Sequence, residues 1–205
     1  MKNIHPVTVL FLAAGPVLAA SSGLIPALGM SLAVILVLLC SMLLLALLRK
    51  LIPAEAKLPA AVLTAAGFAA MAQMLLKAIL PAAASALGIY VAVLAAELLI
   101  FRYAEAVLDG GLKPALGKAA AAAAVFLVFV LVLAALRELF GSASFAGQEI
   151  AALKAVKIPL LAQPTGGLIL FALGLAVVNR FFPGGEPEGE ATRAALGYEP
   201  EAKEG

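Results

Sequence analysis

Residues 26–53, PALGMSLAVILVLLCSMLLLALLRKLIP, carry no charged side chain before Arg49. A helix over 26–48 at 1.5 Å per residue is long enough to cross the ~30 Å hydrocarbon core of a bilayer. Laid over residues 114–141, PALGKAAAAAAVFLVFVLVLAALRELFG, the stretch agrees at 13 of 28 positions without a gap. Leu and Ala matches are common between any two membrane helices. The shared PALG opening and the Arg49/Arg137 pair are not, and they mark an internal repeat.

Working outward from this pair, charges, prolines and glycines divide the rest. The uncharged run from Asn3 to Leu48 is interrupted by Gly15-Pro16 and by Ser21-Ser22-Gly23 with Pro26. It therefore reads as helix 1 over about 6–21 and helix 2 over about 26–48. Helix 3 is expected over about 58–80, ending at Pro81, and helix 4 over about 83–107, ending at Asp109-Gly110-Gly111. Helix 5 is expected over about 116–139, and helix 6 over about 165–182, after Pro164. The weakly apolar stretch 141–163, with Glu149, Lys154 and Lys157, reads as a loop carrying an interfacial helix. The fold class expected is all-α and polytopic, with six transmembrane helices. The repeat equates helix 2 with helix 5, three crossings later. Three is odd, so the halves, about 6–80 and 83–182, are two inverted three-helix repeats. Such an arrangement places the functional centre near the midplane, often at broken helices, which directs attention to helices 1 and 4.

Composition agrees with a lipid environment. Of the 205 residues 64% are hydrophobic and 13% charged, where soluble domains carry about 25% charge. A soluble globule is excluded. One cysteine and one histidine exclude a metal or cluster site built by this chain alone, since such centres take about four ligands. No disulfide framework is possible, and a formal charge of +2 gives no basis for nucleic-acid binding. The N-terminal MKNIHPVTVLFLAAG resembles a signal peptide, but its apolar character continues into the next span, so cleavage is not expected. Residues 1–182 form the membrane domain. The tail 183–205, rich in Gly, Pro, Glu and Ala, is expected to be disordered, cytoplasmic and dispensable for the chemistry.

With six spans, the termini and loops 2–3 and 4–5 share one side. That side collects Lys2, Arg49, Lys50, Lys57, Arg102, Lys113, Lys118, Arg180, Arg193 and Lys203, against Lys77, Arg137, Lys154 and Lys157 opposite. The bias predicts both termini in the cytoplasm.

Glu97 stands inside helix 4, about ten residues or ~15 Å from its cytoplasmic end. A carboxylate at that depth costs at least ~2.5 kcal/mol, so it is expected to face the bundle, a partner or water, and to have a polar or ionic partner. It is the first ion-path candidate; a protonated, structural carboxyl is the plainer reading. Gln73 and Lys77, four apart on helix 3, share a face and are the other ion-path candidates. Lys77 is equally explained by snorkelling to the interface. Arg102 and Glu105 are expected to form an interfacial ion pair. Cys40, in a Leu-rich run, reads as a buried apolar residue rather than a ligand.

The segments NIHPVTVLFLAAGPVLA, LALLRKLIPAEAKLPAAVL, LGIYVAVLAAELLIFRYAEAV, LRELFG and PTGGLILFALGLAVV, in this order and spacing, resemble the six-helix E subunit of Rnf complexes and the D subunit of the sodium-pumping NADH:quinone oxidoreductase, Nqr. The resemblance covers about residues 3–182. It implies a bacterial or archaeal inner membrane location and a complex that couples electron flow to sodium or proton translocation. Partner subunits would then carry flavins and iron–sulfur clusters. An oppositely oriented six-helix homologue would be among them. In that family each of the two homologues gives two cysteines, from broken helices 1 and 4, to a cluster in mid-membrane. The corresponding positions here are Gly15 and Leu98, the latter preceded by Glu97 where the family has Asn. Both ligands are missing, and Cys40 lies in another helix. The expectation is therefore a subunit without its own cluster ligands, serving ion passage or assembly. The alternatives are a stand-alone transporter using the inverted repeat for alternating access, and a purely structural scaffold.

Overall fold

The computed structural model describes residues 6–145, 148–149 and 158–181. The expected tail, His5, and the charges of Lys2, Lys154, Lys157, Arg193 and Lys203 lie outside the described residues. The chain is an all-α polytopic membrane protein. Its helices are α1 (Pro6–Leu12), α2 (Ala14–Ala20), α3 (Leu24–Leu48), α4 (Lys57–Ile79), α5 (Pro81–Leu87), α6 (Tyr90–Val93), α7 (Leu98–Gly110), α8 (Leu112–Arg137), α9 (Pro159–Ala162) and α10 (Pro164–Phe181). Short 3₁₀ turns cover Ala54–Ala56 and Leu94–Ala96, and a π turn, Glu138–Ser142, extends α8. In the 141–163 stretch, Ser144–Phe145 pairs antiparallel with Gln148–Glu149, and α9 follows.

The six expected spans are not all continuous helices, and length and composition mark fewer of them. Among the described residues, Leu24–Leu48, Lys57–Ile79 and Leu112–Ser142 are long and apolar enough to cross a membrane. Pro81–Leu87 with Tyr90–Gly110 makes a fourth span only if a 72° bend is allowed within it. Helix 1 is two seven-residue pieces, and α10 has 18 residues, near the lower limit for spanning.

The centre of the bundle is the antiparallel pair α3 and α8. Arg49, just past α3, donates to the carbonyls of Leu108 and Asp109, which precede α8. At the opposite end the first amide of α3, Leu24, donates to Glu138, just past α8. The two helices that carry the sequence repeat thus lie side by side with opposite polarity. Lys57, opening α4, pairs with Asp109 at 2.7 Å, which brings loops 2–3 and 4–5 to one end of the bundle. The ion pair expected between Arg102 and Glu105 does not form. Both side chains are exposed, where holding two long side chains together gains little.

Lipid offers no hydrophobic drive between helices, so close packing of small side chains has to supply the contact energy. α4 buries Ala61, Ala65, Ala69 and Ala72, and α8 buries Ala115, Ala119, Ala122 and Ala123. Large side chains such as Phe126 and Tyr103 fill the rest of the core, and many others face outward: Leu47 is 78% exposed and Leu63 75%. Such a surface is tolerable only in lipid. Cys40 is half-buried in α3.

A close helix crossing lies at Gly29, where an added Cβ would stand 2.6 Å from the Cβ of Ala83 on α5. Gly29→Ala is expected to destabilise the protein by about 1–3 kcal/mol. Ala83→Gly in the same chain should recover most of that loss, because it removes the atom that is struck. Thermal unfolding in detergent of the single and double variants checks this; equal melting of Gly29→Ala and wild type would refute the crossing.

Candidate functional site

Two helix breaks meet inside the bundle. In the first, Pro16 has no N–H for the Leu12 carbonyl, and its ring crowds that carbonyl. The chain yields at Ala13 (φ −103°, ψ 20°) and resumes as α2. The break therefore lies at Ala13, upstream of the Gly15-Pro16 dipeptide where the sequence placed it. A proline acts on the turn before itself.

The second break divides the expected helix 4 into four pieces. Gly88 adopts φ 49° and ψ −119°, a conformation open to glycine, at the 72° bend. Gln73 on α4 lies within hydrogen-bond reach of the freed Gly88 carbonyl, at 3.4 Å. Further on, the 3₁₀ turn Leu94–Ala96 ends at Glu97, whose backbone is extended (φ −78°, ψ 127°) before α7 begins. The Glu97 carbonyl accepts the Ile100 and Phe101 amides and so starts α7.

Glu97 is 8% exposed. A Cβ built on Gly15 would stand 3.5 Å from its Oε2, so the two positions face each other across the junction of the breaks. The backbone of Leu98 opens α7 beside them. The polar partner expected for Glu97 is not found. Among the described residues no hydrogen bond or ion pair reaches its carboxylate, and it does not cap α7. Of the other ion-path candidates, Gln73 is spent on the Gly88 bend and Lys77 is exposed in the last turn of α4. Sequence spacing put these two on one face, but the structure joins neither to Glu97.

The donors at this junction do not fit an iron–sulfur cluster, which requires thiolates. The facing positions offer a glycine and one carboxylate, and Cys40 sits in the middle of α3. Among the described residues no group of three His, Cys, Asp or Glu could hold a metal.

A second polar centre was not foreseen as a site. Arg137, 6% exposed, donates from Nη1 to the Ser21 hydroxyl (2.9 Å) and from Nε to the Leu161 carbonyl (2.9 Å). Its Nη2 bridges the carbonyls of Ala162 (3.2 Å) and Gln163 (2.9 Å). Leu161 and Ala162 end α9, which cannot satisfy its own last carbonyls, while the Gln163 carbonyl also accepts the Gly166 and Gly167 amides. The neighbouring Glu138 receives the first amide of α3 at 2.7 Å. Both residues of LRELFG thus close helix ends. The second glycine of PTGG fits against Arg137: a Cβ on Gly167 would lie 3.0 Å from Arg137 Nη1, as one on Gly111 would lie 3.0 Å from Arg49 Nη1. The sequence signal for this centre was the repeat itself, in whose register Arg49 and Arg137 correspond, as do Gly23 and Gly111.

A model of the Rnf-Nqr subunit family, membrane proteins, matches residues 1–176. Over 187 residues the chain is 31% identical to a protein of Acetobacterium woodii named as the E-type component of the Na(+)-translocating ferredoxin:NAD(+) oxidoreductase complex. That alignment covers 87% of this chain and 95% of the relative. Over 105 residues it is 36% identical to the corresponding E-type component of the ion-translocating oxidoreductase complex of Haemophilus influenzae, covering 51% of this chain and 44% of that one.

Proposed function

Because the chain belongs to the Rnf-Nqr subunit family, we propose that it is the E-type membrane component of a redox-driven, ion-translocating complex, and that it serves ion passage or assembly without iron–sulfur ligands of its own. Its partners are the other membrane subunits, including an oppositely oriented homologue, with flavins and clusters held elsewhere in the complex. The observation that carries the cluster-free part is the Gly15–Glu97 junction, where two helix breaks converge with no thiolate between them.

The membrane is the cytoplasmic membrane, with both termini inside. Arg49, Lys50, Lys57 and Lys113 gather at the end of the bundle that joins loops 2–3 and 4–5, in support of the positive-inside orientation. The antiparallel α3 and α8 support a division of the domain into inverted halves, about 6–80 and 83–182.

Affinity purification of the tagged chain from native membranes tests the reading. Flavin- and iron-bearing subunits are expected to co-purify, and the iron content of the complex is expected to be unchanged by Cys40→Ser. A chain that purifies alone, and transports solute alone in liposomes, would establish the transporter instead. Iron retained by the separated chain would overturn the cluster-free part.

A further inference from the structure

We propose that the Glu97 carboxyl, opposite Gly15, binds one exchangeable monovalent cation, a proton or a sodium ion, inside the bundle. The side chain is more than nine-tenths buried, and among the described residues no group bonds to its carboxylate. The packed elements bring no counter-charge to it. From Pro6 to Leu48, α1, α2 and α3 carry no charged residue. On α4, Lys57 pairs with Asp109, and Lys77 is exposed. On α7, Arg102 and Glu105 are exposed, and the Tyr103 hydroxyl donates to the Lys118 carbonyl. Tyr90 is exposed, Lys113 sits in the first turn of α8, and Arg137 is spent on the other polar centre.

An uncompensated carboxylate in an apolar interior is costly, and a bound proton or metal cation relieves that cost. The opposite pull comes from α7, whose N-terminal end begins at Glu97 and favours the anion. A carboxyl held between these two tendencies can load and unload, whereas one with a fixed hydrogen-bond partner is locked in a single form. Room beside it comes from Gly15, since any side chain larger than a methyl group would fill the space next to Oε2. The breaks also free backbone oxygen nearby: the Leu12 carbonyl loses its helical donor at Pro16.

The inference rests on the membrane reading of the chain for the depth of the side chain, and retention of the chain in alkali-washed membranes checks that reading separately. The site is tested with a fluorescent cyclohexylcarbodiimide on the membrane-embedded protein. The protonated carboxyl adds across one C=N bond of the reagent, and the adduct rearranges to a stable N-acylurea, with no electron transfer and no leaving group. A mass shift on the Glu97 peptide is expected that declines as the pH is raised, because the reagent takes the protonated carboxyl, and that is lost in Glu97→Gln. Protection by NaCl, but not by equal KCl, at fixed pH identifies sodium; dependence on pH without sodium protection identifies the proton. Gly15→Leu should remove most of the labelling and Gly15→Ala should leave it. Absence of labelling at every pH, or labelling indifferent to both pH and sodium, would overturn the proposal.

Discussion

Arg137→Met is expected to lower stability by about 2–4 kcal/mol, the loss of several hydrogen bonds from a charged donor, and to deplete the protein from membranes. Met keeps most of the apolar stem but none of the donors. The variant removes this shared donor; Ser21 still donates to the Leu18 carbonyl and the Gln163 carbonyl keeps the Gly166 and Gly167 amides, so the Leu161 and Ala162 carbonyls are the groups left short. Each unsatisfied buried polar group costs about 1–3 kcal/mol, less where water can reach it. Arg137→Lys should recover only part of the loss, because an ammonium cannot present Nε, Nη1 and Nη2 as a planar fork. Arg49→Met makes the natural control. Arg49 stands at the corresponding repeat position but is exposed, and it holds two carbonyls. Its loss should cost about 0.5–1.5 kcal/mol. Melting in detergent and membrane abundance read the difference; an Arg137→Met protein as stable as Arg49→Met would show that the buried fork is not structural.

The difference between these two arginines also shows where the sequence was legible. The repeat aligned them correctly, because it lies in contiguous residues of two long apolar helices. The sequence placed both at helix ends but counted Arg137 only among the charges on the side opposite the termini. Burial of Arg137 depends on α9 and the start of α10 folding back over it, a long-range contact that no local pattern records. Helices without an internal break, α3, α4 and α8, were readable to within a few residues because charges, Pro and Gly bound them. Helix 4 was not, since it breaks twice: the 72° bend lies at Gly88, the one cue in its sequence, and a second break lies nine residues on at Glu97, a residue with no backbone preference for extended geometry. Glu97 itself stood out as a charge amid apolar residues. That it faces Gly15 without a partner was not visible, because the pairing depends on how two breaks dock. Even the proline signal was offset, since Pro16 disrupts the carbonyl four residues behind it.

Gly166→Ala is expected to cost about 3 kcal/mol, at the upper end of overpacking penalties. A Cβ at this position would lie 2.3 Å from the Leu160 carbonyl oxygen and 2.5 Å from the Leu161 Cα. Both are backbone atoms, so no rotamer change relieves the clash, and α9 and α10 must move apart. Helix propensity pulls the other way, since Ala is better than Gly within a helix by about 0.5–1 kcal/mol. Gly67→Ala isolates that opposing effect. Gly67 lies in α4 with nothing within 4 Å of its added Cβ, so this variant should be stabilised. The clash has a further consequence, because Leu160 and Leu161 lead directly into the carbonyls that Arg137 holds. Moving them weakens the fork before Arg137 is touched. Gly166→Ala and Arg137→Met should therefore lose less together than the sum of their separate losses, by about 1 kcal/mol or more. Strict additivity in the double-mutant cycle would mean that the glycine packing and the arginine fork are independent.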